Sequence, residues 1–152
     1  MTSDKSLLDE HISLHEWVLV DANALVALAK EDDSNHNKAV EICKILQKKG
    51  VSYLVSPFAV AEAVTVISYK VSQKAAISFL EEVRTMDNLS EVSLPEQHAP
   101  LADAWFIKQK KKGTSYFDCY NMALLERYKA YKIFSFDKVY ESNGFLSAAK
   151  TN

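Results

Sequence analysis

Four carboxylates, Asp21, Glu62, Asp118 and Asp137, stand where a side chain of this chain could do chemistry. Asp21 ends the apolar run Trp17-Val18-Leu19-Val20, and Asp137 closes Tyr131-Lys132-Ile133-Phe134-Ser135-Phe136. Short apolar runs of this kind read as buried parallel strands. In open parallel sheets, ligands bind beyond the carboxyl ends of the strands, so both aspartates are expected at one sheet edge. Glu62 lies four residues from both Phe58 and Val66 in a helical stretch and shares their face. Taken alone, it is better explained by a salt bridge or a rim position; its place just after a strand end makes a shared site credible. Asp118 follows Ser115 by three residues, the spacing of a capping box. Capping and chemistry compete there, and either puts Asp118 on the first turn of its helix.

Gathering acids has a cost. Two like charges about 4 Å apart repel by roughly 4 kcal/mol near a protein surface. Such a cluster needs protons or a cation, and hard oxygen ligands suit Mg²⁺ or Mn²⁺. A divalent ion orients a phosphodiester, helps deprotonate water and stabilises the leaving oxygen. The implied reaction is phosphodiester hydrolysis.

The elements that must position these acids alternate. After the strand at Trp17–Val20, helices are expected over Ala22 to Lys30 and from a cap at Asp33 or Ser34 to about Lys49, with Gly50 as a stop. A second strand spans Val51 to Val55. Ser56-Pro57 is a strong helix start, and that helix reaches about Lys70. The next runs from Ser72 to about Met86. A short third strand falls around Val92, and Pro95 opens a helix that ends near Lys108 to Gly113. Thr114 or Ser115 caps the helix reaching Lys129, and the strand Tyr131 to Phe136 leads into a short tail. This alternation implies an α/β fold with a mostly parallel sheet between helices.

Composition agrees with one ordinary domain. The chain has 152 residues, 48% hydrophobic and 25% charged, and such a length buries roughly 68–70% of its unfolded surface. Its net charge of −2 and pI near 6.1 are unlike a strongly basic nucleic-acid binder. Cys43 and Cys119 have no metal-ligand spacing and read as reduced cysteines near the core. No stretch approaches the ~20 apolar residues of a membrane span, and the first residues do not read as a signal peptide. The expectation is a cytoplasmic protein with no membrane contact. His11 and His15, four apart, read as surface histidines.

Four segments together resemble the PIN-domain ribonucleases, and among them the VapC-like toxins of toxin–antitoxin pairs. They are VLVDANALVAL at Val18 to Leu28, SPFAVAEAV at Ser56 to Val64, TSYFDCYNMALLERY at Thr114 to Tyr128, and IFSFDKVY at Ile133 to Tyr140. The resemblance runs from about Trp17 to Phe145. It implies a PIN-like three-layer sandwich over residues 17–152, with residues 1–16 as an N-terminal extension. It further implies Mg²⁺ or Mn²⁺ held by Asp21, Glu62, Asp118 and Asp137, with Asn23 positioning water or ligand. The substrate it implies is single-stranded RNA, and the partner a small antitoxin protein; a homodimer is expected as well. Bulky Tyr120 and Met122 depart from the small residues that such toxins more often carry after the third acid.

Other readings are weaker. A non-catalytic PIN-like RNA-binding or regulatory module would not need all four acids. A phosphatase of the haloacid dehalogenase type usually wants a second aspartate two residues after the first, and Asn23 stands there. The run Lys108, Lys110, Lys111 and Lys112 reads as a solvated helix end, where cations suit the dipole, rather than as a phosphate track. Asp103 reads as a surface residue. Apolar residues on the helices of Ser34 to Lys49 and Pro57 to Lys70 offer a dimer face or core.

Overall fold

The structure is a computed structural model and describes residues 16–130 and 132–150. The expected extension, with His11 and His15, therefore lies almost wholly outside the described residues, as does Tyr131. Strands β1 (Trp17–Val20), β2 (Ser52–Val55), β3 (Leu89–Glu91), β4 (Lys132–Phe134) and β5 (Leu146–Ser147) form one sheet in the order β3-β2-β1-β4-β5. All its pairings are parallel. The helices are α1 (Ala22–Ala29), α2 (His36–Lys48), α3 (Pro57–Lys70), α4 (Gln73–Thr85), α5 (Pro100–Lys108), α6 (Tyr116–Tyr128) and the single turn α7 (Val139–Ser142).

Side chains alternate across a strand, and a parallel sheet buries both faces. Val18, Val20, Tyr53, Val55 and Phe134 pack on one face against α1 to α4. Leu19, Leu54 and Ile133 pack on the other against Met122, Leu124 and Leu125 of α6 and Tyr140 of α7. The result is the expected three-layer α/β sandwich. The bulky residues after Asp118 fit it: Met122 is fully buried, and the Tyr120 hydroxyl accepts from the Leu94 N–H at 2.8 Å.

Several boundaries differ from expectation, each for a local reason. The helix α2 starts at His36 with Asn35 as its cap. Asp33 instead accepts from the Asn35 N–H at 2.8 Å, closing the turn before it. The third strand is Leu89–Glu91, and Val92 adds one further bond to the Val55 carbonyl, at 2.8 Å. Pro95 opens only a short 3-10 turn, Glu96–His98, and α5 begins at Pro100. A proline lacks the N–H that an unbroken helix through it requires. The strand β4 stops at Phe134, because the Phe136 N–H turns to the Asn23 side chain at 3.1 Å. The two-residue strand β5, in the stretch read as tail, is too short for a periodic signal.

Ser56 shows how the fold aims an acid. Its buried hydroxyl accepts from the Ala59 N–H at 3.0 Å, and Pro57 occupies the first helical turn. This cap fixes the start of α3, and hence where Glu62 stands. Ser56→Ala is expected to destabilise the protein by about 1–2 kcal/mol, measured by denaturant unfolding.

Candidate functional site

The chain leaves β1 for β2 on one side, while β4 pairs with β1 on the other. Successive crossovers thus diverge at the carboxyl ends of β1 and β4, the place where open α/β sheets form a crevice. The Asp21 N–H extends the β1–β4 ladder by bonding the Phe134 carbonyl at 3.0 Å. Its carboxylate then enters the crevice.

Asp21 is 8% exposed, and a buried carboxylate needs compensation. It receives four donors within 3.3 Å, and the Asn23 amide stands 3.5 Å from Oδ2. Oδ1 accepts from the Ala22 N–H at 2.8 Å and the Asn121 amide at 3.3 Å. Oδ2 accepts from the Ser135 hydroxyl at 2.9 Å and the Tyr140 hydroxyl at 3.0 Å. Four donors match a carboxylate's approximate capacity. Burial nevertheless outweighs them and holds the Asp21 pKa above its ordinary value, with the Asp137 charge adding to the rise.

Asn23 braces this arrangement. Its Oδ1 accepts from the Phe136 N–H, and its Nδ2 donates to Ser135 Oγ at 3.0 Å. Ser135 is saturated: it donates to Asp21 and accepts from Asn23 and from the Asp137 N–H at 3.1 Å. Asp137 in turn accepts from the Val139 N–H at 3.0 Å, starting α7, the turn that carries Tyr140. The loop after β4 is thereby tied to the end of β1.

Asp118 stands on the first turn of α6, as both readings of it required. Its carboxylate accepts from the Ser115 backbone N–H, while the Ser115 hydroxyl accepts from the Phe117 N–H at 3.0 Å. Asp118 Oδ1 also lies 3.2 Å from the Tyr140 hydroxyl. That phenol has one hydrogen, accepts from the Asn121 amide at 3.0 Å, and faces two carboxylate oxygens. Its hydrogen serves one of them, and the other needs a proton or a cation. Burial first, then the charges of Asp21 and Asp137, push the Asp118 pKa up to about 6.

Glu62 and Asp137 are exposed at the mouth of the same cleft, which Asp21, Asn23 and Asp118 also line. Burial and the Asp21 charge raise the Glu62 pKa. The face that α3 buries is formed by Ala59, Val60, Ala63 and Ile67, so Glu62 stands on a cleft wall rather than on the core face. Asp33 also lines the cleft, although its carboxylate is engaged by the Asn35 N–H.

All five sequence-predicted residues thus meet in one cleft. Ser135, Asn121 and Tyr140 were not singled out from the sequence. A signal existed in the polar Asn121, one helical turn after Asp118 in the otherwise apolar CYNMALL, and in Ser135, two residues before Asp137.

The donor set is entirely oxygen and carries four acids, which fits a hard divalent cation. The Tyr140 hydroxyl, shared between two carboxylates, marks where positive charge is wanted. Asn121 Oδ1, buried beside it, has no hydrogen-bond partner among the described residues. Among those residues no three acids stand close enough to enclose an ion as their side chains lie; Glu62 and Asp137 stand exposed in the cleft lining.

A PIN-domain family model matches residues 18–146, and the chain belongs to the PIN-domain family. Comparison with curated proteins finds no match. Among solved structures, it is similar to the crystal structure of Mycobacterium tuberculosis VapC20, described as a sarcin–ricin loop cleaving toxin. The TM-score is 0.73, over 85% of this chain and 96% of that one, at 17% identity. That likeness is one of fold.

Crowded acids give a pH signature of known sign. Asp21, Glu62 and Asp118 have raised native pKa values, so the native state binds protons more tightly than the unfolded chain. For Asp118 this stabilisation is complete below 3.8 and lost as pH rises through about 6. In excess chelator, the melting temperature is expected to rise as pH is lowered from about 7 to about 5. A fall over that interval contradicts the assigned crowding.

Proposed function

We propose that this protein is a divalent-metal-dependent endoribonuclease that hydrolyses single-stranded RNA, and that it acts as the toxin of a toxin–antitoxin pair. The observation that carries the reading is the convergence of Asp21, Glu62, Asp118 and Asp137 on one open cleft at the switch point of the sheet. Membership of the PIN-domain family and the shared fold with a toxin that cleaves the sarcin–ricin loop support it.

Asp21 and Asp118 would hold Mg²⁺ or Mn²⁺, with Glu62 and Asp137 as its further ligands. A bound divalent ion supplies charge neutralisation at the phosphodiester and a more acidic water. The chain's own residues do the rest. Ser135, Asn121 and Tyr140 fix the Asp21 carboxylate, and Asn23 locks the β4 loop so that Asp137 faces the same cleft. Carboxylates beside the scissile phosphate accept the proton that the attacking water gives up.

The reading includes a cytoplasmic location, a small antitoxin partner encoded by the neighbouring reading frame, and a homodimer. Among the described residues no helix is long and apolar enough to cross a membrane. Of the helices offered for a dimer face, α2 turns Ala39, Ile42 and Leu46 into the core. The exposed Phe106 and Ile107 of α5 are the better candidates.

Labelled single-stranded RNA incubated with Mn²⁺ is expected to be cut, and chelator to stop the cutting. Asp21→Asn and Asp118→Asn are each expected to slow cleavage by more than about 100-fold, beyond the usual effect of groups that only orient ligands. Asp118→Asn also separates the two roles of that residue. It keeps an oxygen for the Ser115 N–H and removes a crowded charge, so stability near pH 7 is kept or raised while activity collapses. Full cleavage in chelator or by Asp21→Asn refutes the assignment, and RNA binding without any cleavage favours a non-catalytic module.

A further inference from the structure

Two further concavities adjoin the acidic cleft, each sharing different residues with it, and their chemistries differ. One shares Gly113, Asp118 and Asp137 with it and adds Lys108, Lys110, Lys111, Lys112 and Lys138. The other shares Glu62, Val66 and Phe117 with it and adds Phe58.

The lysines are not explained by a helix end. The helix α5 stops at Lys108, with Gln109 as its cap. Lys110, Lys111 and Lys112 lie beyond it, in a loop that turns at Gly113 with φ +95°. The dipole argument therefore covers Lys108, which stacks over the Trp105 ring at 4.3 Å. Among the described residues the other three and Lys138 form no ion pair. Five lysines in one cleft wall, in a chain of net charge −2, are a local excess of positive charge.

In the other concavity Phe58 and Phe117 are 44% and 54% exposed. Their rings lie 5.4 Å apart, and Phe58 rests edge-on against Tyr120 at 4.8 Å. They are exposed yet held in place, which is what a stacking platform for a base requires.

We propose that these walls form a single-strand channel across the acids. Backbone phosphates on one side of the scissile bond lie along Lys110, Lys111, Lys112 and Lys138, and a base on the other side stacks on Phe58 and Phe117. This rests on the hydrolase reading. It adds which wall takes phosphate and which takes base.

The test is binding in excess chelator, where no cleavage occurs. The probes are a labelled single-stranded RNA of about 12 nucleotides, within the usual site sizes, and an abasic ribose-phosphate strand of the same length. Replacing Lys110, Lys111 and Lys112 together by Gln is expected to weaken both strands about tenfold and to flatten the salt dependence of log affinity by about 2. Phe117→Ala is expected to weaken the base-bearing strand about tenfold and leave the abasic strand unchanged. An unaltered salt slope, or a Phe117→Ala effect equal on both strands, overturns the channel. So does a Phe117→Ala protein that sediments as a monomer where the parent is a dimer and binds RNA normally, because the aromatic wall is then an interface between copies. Binding needs no catalysis, so the two readings fail separately. The expected binding pattern without metal-dependent cleavage rejects the hydrolase and keeps the channel. Normal cleavage with unchanged binding in the variants rejects the channel alone.

Discussion

A carboxylate as deeply buried as Asp21 must be supplied with donors or lose its charge. Its four shortest hydrogen bonds come from four parts of the chain: Ala22 at the start of α1, Asn121 in α6, Ser135 after β4 and Tyr140 in α7. Satisfying this one side chain therefore fixes the relative positions of the elements that carry the other acids. Three of these donors are neutral side chains, which leaves the negative charge in place. The same hydroxyl that steadies Asp21 also reaches Asp118, so the two carboxylates are held within reach of a single shared proton or ion. The site is under electrostatic tension, which a proton or a cation would relieve.

The topology makes this gathering possible. Because β1 is central and β4 enters on its far side, the loops after these strands adjoin at one end of the sheet. Hydrophobic burial on both faces sets the register, with Leu19 opposite Leu54 and Ile133, and the register sets the height at which Asp21 emerges. Packing and chemistry are thus linked through strand alternation. A slip of one residue would turn Leu19 and its neighbours to the wrong layer and withdraw the carboxylate from the crevice.

Much of this was legible in the sequence, because its signals were local. The apolar runs before Asp21 and Asp137, the Ser56-Pro57 start and the Ser115 cap each follow from a few neighbouring residues. What escaped was non-local. Nothing near Ser135 or Tyr140 announces that a hydroxyl 114 or 119 residues away from Asp21 will bond it. Glu62 was placed in the right cleft for an incomplete reason: its wall carries exposed Phe58, while the core face of α3 lies on the side of Ala59 and Ala63. The lysine run was read as a helix end because a helix terminus was expected near Gly113. The helix ends at Lys108, and the remaining lysines face the site from a loop. Short elements such as β5 were missed because two residues carry no period.

The central claim is that these four acids form one divalent-cation site, and the most direct measurement is a crystal structure of the protein soaked in Mn²⁺ with anomalous diffraction. An anomalous peak is expected between Asp21 and Asp118, with Glu62 and Asp137 turned toward it directly or through water. A cleft without a peak in Mn²⁺-saturated crystals, or a peak held by other residues, would contradict that claim.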